Sequence, residues 1–289
     1  LPHVRKPQAS YPGVSLFRKP HIPTMRIASL QPSISLTLAH LGALDSLCAV
    51  TKWCVEALPE LATRNLTVLP DSWSFAEANQ QALKLTNPDL VIASVPYRPE
   101  SLTAILKAGI PVLTLAPYTL ADIIHDTHLI GRQVDALPRA ETLIQTLQSA
   151  IADTIQRSAQ LPRLTVYCEE WGKPLIHSQP WIAELIAAAN GEFVGTPGAK
   201  TPAEAIAAAD PDVLLFAWCG AGDRVPLDRV IAQRNWHHLR AVRSGRVFCI
   251  PDEFLNTPSF NLIEGLACIT AALHPGDFPP HPRLKRLQA

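Results

Sequence analysis

Charge of one sign is what this sequence most plainly lacks. Lys plus Arg number 25 and Asp plus Glu number 25, so the formal net charge is zero, and charged residues are only 17% of the chain. A nucleic-acid partner is disfavoured, because phosphate contacts need a local excess of Lys and Arg. No apolar run reaches the roughly 18 residues that a membrane-spanning helix needs. The first 25 residues, LPHVRKPQASYPGVSLFRKPHIPTM, are basic and broken by proline, without the apolar stretch of a secretory signal. The single methionine, Met25, stands directly before MRIASLQPS, and we expect residues 1–25 to be a leader or appended tail.

The catalytic signatures are missing too. There is no GxSxG, HExxH, Walker loop or GxGxxG, and the glycine cluster GTPGAK at 195–200 is too short and wrongly flanked to cradle phosphate. The six cysteines, Cys48, Cys54, Cys168, Cys219, Cys249 and Cys268, form no CxxC pair, which argues against a zinc knuckle or a disulfide scaffold. We expect no enzymatic activity and no intrinsic cofactor.

Prolines and short buried runs are abundant. There are 27 prolines, and hydrophobic residues make up 47% of the chain. Near-continuous apolar runs such as DLVIASV at 89–95 and DVLLFAW at 212–218 have the character of parallel strands covered on both faces. They alternate with helical patterns, which predicts an α/β protein. QQALKLTNPDLVIAS and AEAIAAADPDVLLFAW follow one plan: a helix, then Pro-Asp, then a buried strand. This repetition predicts two similar Rossmann-like lobes. Between them, RAETLIQTLQSAIADTIQRSAQ carries an apolar stripe at Leu143, Ile144, Leu147, Ile151 and Ile155, with Pro138 suited to its first turn. A helix of about 22 residues, roughly 33 Å long, would join the lobes and permit only small closing movements. The expected division is 26–132 for the first lobe, 133–161 for the linking helix and 162–275 for the second lobe. We expect a loose tail over 276–289, and Thr201 as cap of the helix at 202–210.

Ligands of such sheets bind beyond the carboxyl ends of the strands. Aromatic residues are scarce at 6%, yet several fall in those loops: Trp53, Tyr97, Tyr118, Trp171, Trp218 and Phe254. Large flat side chains suit a large, partly apolar ligand, though some could pack where the lobes meet. Arg98 and Arg224 are placed to meet carboxylates, phosphates or amide oxygens at its rim. Cys54, Cys219 and His177 could approach a metal centre axially, with ordinary packing as the alternative for each. His125 and His128, beside Asp122 and Asp126, share one side of a possible helix; a polar surface is the simpler reading.

RIASLQPSISLTLAHLGALDSLCAVT, NPDLVIAS, EEWGKPLIHSQPWIAELIAAANG, DPDVLLFAWCG and SGRVFCIPDEFLNTPSFNLIEGLACITAALHP, in that order, resemble the helical-backbone periplasmic binding family. That family supplies substrate-binding proteins for vitamin B12, haem and iron-siderophore transport. The likeness spans residues 26–275 and is strongest to the cobalamin-binding members. It implies capture of cobalamin or a related corrinoid between the lobes, with siderophore or haem as the alternative. It also implies an ABC permease partner, a cell-envelope location and a monomer. A cytoplasmic corrinoid binder or a metallocofactor enzyme is a further alternative. By resemblance, Trp53 and Cys54 of KWCVEALP contact the ligand, and the stretch from Trp171 through Leu175 to His177 faces it. Relatives that dock on a transporter carry one surface glutamate per lobe, seven residues before the Pro of Pro-Asp. Here those positions are Gln81, a departure from the pattern, and Glu204.

Overall fold

The computed structural model describes residues 25–288. The first lobe runs β1 (Ile27–Ser29), α1 (Pro32–His40), β2 (Leu47–Thr51), α2 (Lys52–Ala57), β3 (Thr67–Leu69), α3 (Gln80–Leu85), β4 (Leu90–Ser94), α4 (Pro99–Leu106) and β5 (Val112–Leu115). Its sheet is parallel throughout, in the order β3-β2-β1-β4-β5. Two helices follow, α5 (Leu120–Gln133) and α6 (Leu137–Ser158). The second lobe comprises β6 (Leu164–Gly172), β7 (Leu175–His177), α7 (Pro180–Ala188), β8 (Gly191–Phe193), α8 (Ala203–Ala209), β9 (Val213–Phe216), α9 (Leu227–Gln233), α10 (Arg240–Arg243), β10 (Val247–Cys249), α11 (Asp252–Leu255), α12 (Leu262–Leu273) and β11 (Lys285–Arg286). Its sheet follows the order β11-β10-β9-β6-β7. β8 shares with β7 one edge of the long strand β6: it pairs with the start of β6, and β7 pairs with its end.

The repeated Pro-Asp has a structural cause. Asn87 and Asp210 each adopt a left-handed conformation, with φ of 47° and 42°, that ends the preceding helix just before a proline. The aspartate that follows each proline then fastens a neighbouring strand. Asp89 accepts the Arg26 N–H at 2.8 Å beside β1, and Asp212 accepts the Thr165 N–H at 2.9 Å in β6.

α6 serves both lobes. Its first half packs Ala140 and Leu143 into the first-lobe core, and further along Ala150 and Ile151 lie against the second-lobe core. Ile155, expected on the same stripe, is 52% exposed. Other contacts join the lobes directly. The His40 ring is within 2.8 Å of Asn261 Oδ1, and the Leu120 N–H donates to Glu184 at 2.9 Å. No helix among the described residues is long and apolar enough to cross a membrane.

Several local expectations fail. Residues 276–288 are not a loose tail. β11 pairs antiparallel with β10, Arg283 meets Glu253 at 2.9 Å, and Lys285 meets Asp223 at 3.1 Å. Leu284 and Leu287 lie against the core clusters while the basic residues between them reach acidic partners. Thr201 does not cap α8; the cap position is Pro202, with no side-chain hydrogen bond. The leader expected over 1–25 lies outside the described residues except for Met25.

Candidate functional site

The carboxyl ends of the strands in both sheets meet the same interlobe cleft. On the first-lobe side, Thr51 ends β2 and caps α2, its hydroxyl accepting the Cys54 N–H at 3.2 Å. That cap sets the rotational phase of a six-residue helix and separates two adjacent residues. Cys54 turns inward and is fully buried, its sulfur 3.2 Å from the Thr51 hydroxyl. It packs as a core thiol, so the expectation that it faces a ligand is not met. Trp53 stays partly exposed with the Lys52 ammonium 4.2 Å from its ring centre.

Trp53 also crosses the cleft. A Cβ added at Gly220, in the loop after β9, would sit 3.4 Å from the Trp53 ring. Gly220 has φ of +75°, so the loop needs glycine for its backbone, while a Cβ there would only touch the ring. The loop is held by Asp252, whose carboxylate accepts the N–H groups of Gly220 and Gly222 at 2.8 and 2.7 Å. Burial raises the Asp252 pKa, and those two N–H groups oppose the shift.

The remaining predicted residues sort into rim, packed and exposed positions. Arg98 is not a free cation: its guanidinium donates to the Trp73 carbonyl at 2.7 Å and lies 5.6 Å from the Trp73 ring. Tyr97 beside it is partly buried. Tyr118 and Trp171 are exposed, at 64% and 44%. Asp122 holds the Tyr118 backbone N–H at 3.0 Å. Arg224 is exposed close to Gly222. Trp218 lies flat on Gly172, where an added Cβ would come within 2.5 Å of the indole, and its Nε1 donates to Glu169 at 2.8 Å. Leu175 joins the same side of the second-lobe core.

Two expected ligand contacts are occupied elsewhere. His177 is 2% exposed, edge-on to Tyr167 at 5.3 Å and packed over Gly195. Its Nδ1 has no hydrogen-bond partner among the described residues, and burial lowers its pKa, so it is a neutral interior ring. Phe254 is taken up by the C-terminal segment, 5.7 Å from the His281 ring and 5.3 Å from the Arg283 guanidinium. His125 is exposed and His128 partly buried on α5. Gln81 and Glu204 are both exposed, on α3 and α8 respectively.

Behind the second-lobe wall sits a buried polar hub that the residue pattern did not reveal. Glu169 is fully buried on β6 and receives both terminal nitrogens of Arg234, at 2.7 and 2.9 Å, along with the Trp218 indole and the Tyr167 hydroxyl. Burial first, and then the adjacent carboxylate, hold the Tyr167 phenol protonated. In front of the hub, Cys219 Sγ lies 3.7 Å from Glu170 and 3.4 Å from Asn256 Nδ2. Burial raises the proton affinity of both Cys219 and Glu170. Among the described residues no group of three or more His, Cys, Asp or Glu could hold a metal ion. The wall could therefore offer a donor to a metal already held by a chelating ligand, but not a complete site for a free ion.

A family model described as periplasmic binding protein matches residues 27–254. A cobalamin-binding protein of Halobacterium salinarum is 24% identical over 282 residues, covering 94% of this chain and 74% of that one. Among solved structures, a periplasmic haem-binding protein from Pseudomonas aeruginosa has a TM-score of 0.78 at 21% identity, covering 92% of this chain and 99% of that one. The periplasmic vitamin B12 binding protein of Vibrio cholerae has a TM-score of 0.70 at 19% identity, covering 87% of this chain and 97% of that one.

Proposed function

This chain belongs to the periplasmic binding protein family, and from that premise we propose that its cleft captures a metal chelate for delivery to an ABC importer. Members of the family bind and carry small-molecule solutes outside the cytoplasm without transforming them. What remains to be assigned is the ligand. The observation that carries the chelate reading is the contact of Trp53 with the Gly220 loop, with Tyr118 and Trp171 exposed in other loops at strand ends. Flat apolar surface on both sides of a cleft favours a broad, planar guest, and the second-lobe wall adds Cys219 and Glu170 at its centre.

Two chemistries fit that description. Haem or an iron-siderophore is the first reading, supported by the similarity in fold to a haem-binding protein over nearly the whole chain. A corrinoid is the second, supported by the likeness to a cobalamin-binding protein over 94% of this chain. Glu204 on the outer surface of α8 is the residue we assign to transporter docking, with Gln81 on α3 as the matching first-lobe position.

Calorimetric titration with haemin, a ferric siderophore and cyanocobalamin tests the proposal. We expect saturable one-to-one binding of at least one of them. Trp53→Ala should weaken it about tenfold or more, since a tryptophan anchor at a desolvated contact typically contributes that much. Absence of binding by all three, with the protein folded, refutes the chelate reading.

A further inference from the structure

The loop between β9 and α9 carries Cys219, Gly220 and Arg224 on the second-lobe wall of the cleft, and Gly220 meets Trp53 of the first lobe there. Such a loop keeps one shape only if something outside it fixes its ends. Two carboxylates do so. Asp252 accepts the Gly220 and Gly222 N–H groups at 2.8 and 2.7 Å. Asp223 lies at the far end, next to Arg224. Asp252 opens α11, a single turn of four residues, and so short a helix takes its position from its contacts.

Both anchors are gripped by the segment that follows α12. Arg283 donates to Glu253 at 2.9 Å, and its guanidinium lies 5.3 Å from the Phe254 ring centre, with the His281 ring edge-on to the same phenyl at 5.7 Å. The two residues directly after Asp252 are thereby fixed. The same arginine comes within 3.8 Å of Asp223, and the Lys285 ammonium within 3.1 Å. The hydrogen bond from Lys285, backed by the charges of Lys285 and Arg283, holds the Asp223 carboxyl below its ordinary range. A groove of about 620 Å³ opens between residues 223–228 and 285–288, and the Asp223–Lys285 pair joins its two walls.

The segment itself is firmly seated. β11 pairs with β10, the Leu287 N–H donates to the Val247 carbonyl at 2.9 Å, and Leu284 lies against the second-lobe core. Arg283 and Lys285 are about half exposed, so their ion pairs are screened by water and contribute little to overall stability. Their arrangement gives them a local effect instead. One cation touches both anchors of one loop, and a second doubles the hold on Asp223. With Asp223 taken up in this way, neighbouring Arg224 forms no ion pair among the described residues and stays exposed beside the cleft.

We propose that Arg283 and Lys285 are positioning residues of the ligand site: residues 281–285 brace Asp223 and α11 from outside the cleft, and through them set the shape of the Gly220 loop that receives the ligand. The inference rests on the chelate reading above and deepens it by naming what holds the second-lobe wall in its binding form.

The test combines hydrogen–deuterium exchange of the unliganded protein, read on peptides spanning residues 218–224, with calorimetric titration of haemin, a ferric siderophore and cyanocobalamin. The proteins are the wild type, the double variant Arg283→Ala/Lys285→Ala, Arg283→Lys, and Arg286→Ala as a control, since Arg286 bonds the Gly245 carbonyl instead of the loop. The double variant should speed exchange in the loop about tenfold and leave β9 and β10 protected. It should weaken the bound chelate about fivefold, while its melting temperature falls by less than about 4 °C. Arg283→Lys keeps a cation between Asp223 and Glu253 and should retain most of the affinity. Arg286→Ala should match the wild type in loop exchange and in affinity. Unchanged loop exchange in the double variant, or unchanged affinity for a chelate that the wild type binds, overturns the brace and leaves the chelate reading standing. Exchange that rises equally in β9 and β10 also overturns it, because the residues then support the whole lobe. A folded wild type that binds none of the three probes overturns the chelate reading itself, and the loop exchange still decides whether the brace exists.

Discussion

Asp126 makes a prediction that needs no ligand. Its carboxyl is pushed from 3.8 to about 6 by burial, which the nearby His125 opposes only in part. In most proteins a native carboxylate is stabilised, and folding loses free energy as acid protonates it. Here the sign reverses. The folded state holds the proton more tightly than the unfolded chain, so stability falls as pH rises from about 4 to about 6 and the loss is complete above that window. A shift of about 2 units corresponds to ~3 kcal/mol at ~1.4 kcal/mol per unit. The side chain is only partly buried, and solvent screening reduces the figure to about 1 kcal/mol. Asp126→Asn keeps the size and removes the charge. Near pH 8 the variant should therefore be more stable than wild type by about 1 kcal/mol, which raises the melting temperature by roughly 2–4 °C for a chain of this size. Below about pH 4 the two proteins should melt together. Urea unfolding followed by circular dichroism across that pH range measures both limbs. Parallel curves at every pH, or a variant that is less stable near pH 8, would refute the account of Asp126 as an unpaired, desolvated acid.

The second-lobe hub yields two more predictions. Arg234→Met removes the cation bonded to the fully buried Glu169 and should cost about 3–5 kcal/mol in urea unfolding; a loss under 1 kcal/mol would mean that water reaches the carboxylate. Gly172→Ala places a Cβ 2.5 Å from the Trp218 ring, so the indole must shift from its bond to Glu169. We expect about 1–3 kcal/mol of destabilisation and altered tryptophan fluorescence. Wild-type stability and an unchanged spectrum would show that the indole has room to move.

The architecture was legible wherever a long pattern carried it. Repeated helix, Pro-Asp and buried strand stood out because the same backbone device, a left-handed cap before proline and an aspartate on the next strand, closes each unit. The helix α6 stood out because twenty-two residues keep one apolar stripe. Short elements did not stand out. β7 and β8 are three residues each, too brief for alternation to show, and their strand character comes from pairing along β6. Single-residue placement was the least legible. Trp53 and Cys54 are neighbours in one loop of the sequence, and only the Thr51 cap decides that one faces the cleft and the other the core. His177 looked available because it lies near the loop ends, whereas its strand turns the ring into the interior against Tyr167.

The way α6 is shared also constrains how the cleft can work. One continuous helix is packed into both cores, and the pairs His40–Asn261 and Leu120–Glu184 tie the lobes beside it. A wide hinge would have to break helix hydrogen bonds or tear apolar side chains from one core, at a cost beyond what a single bound solute returns. Small tilts and side-chain movements remain available. Trp53, resting on the Gly220 loop, is the ring best placed to give way, because its contact across the cleft is made to a glycine at van der Waals distance.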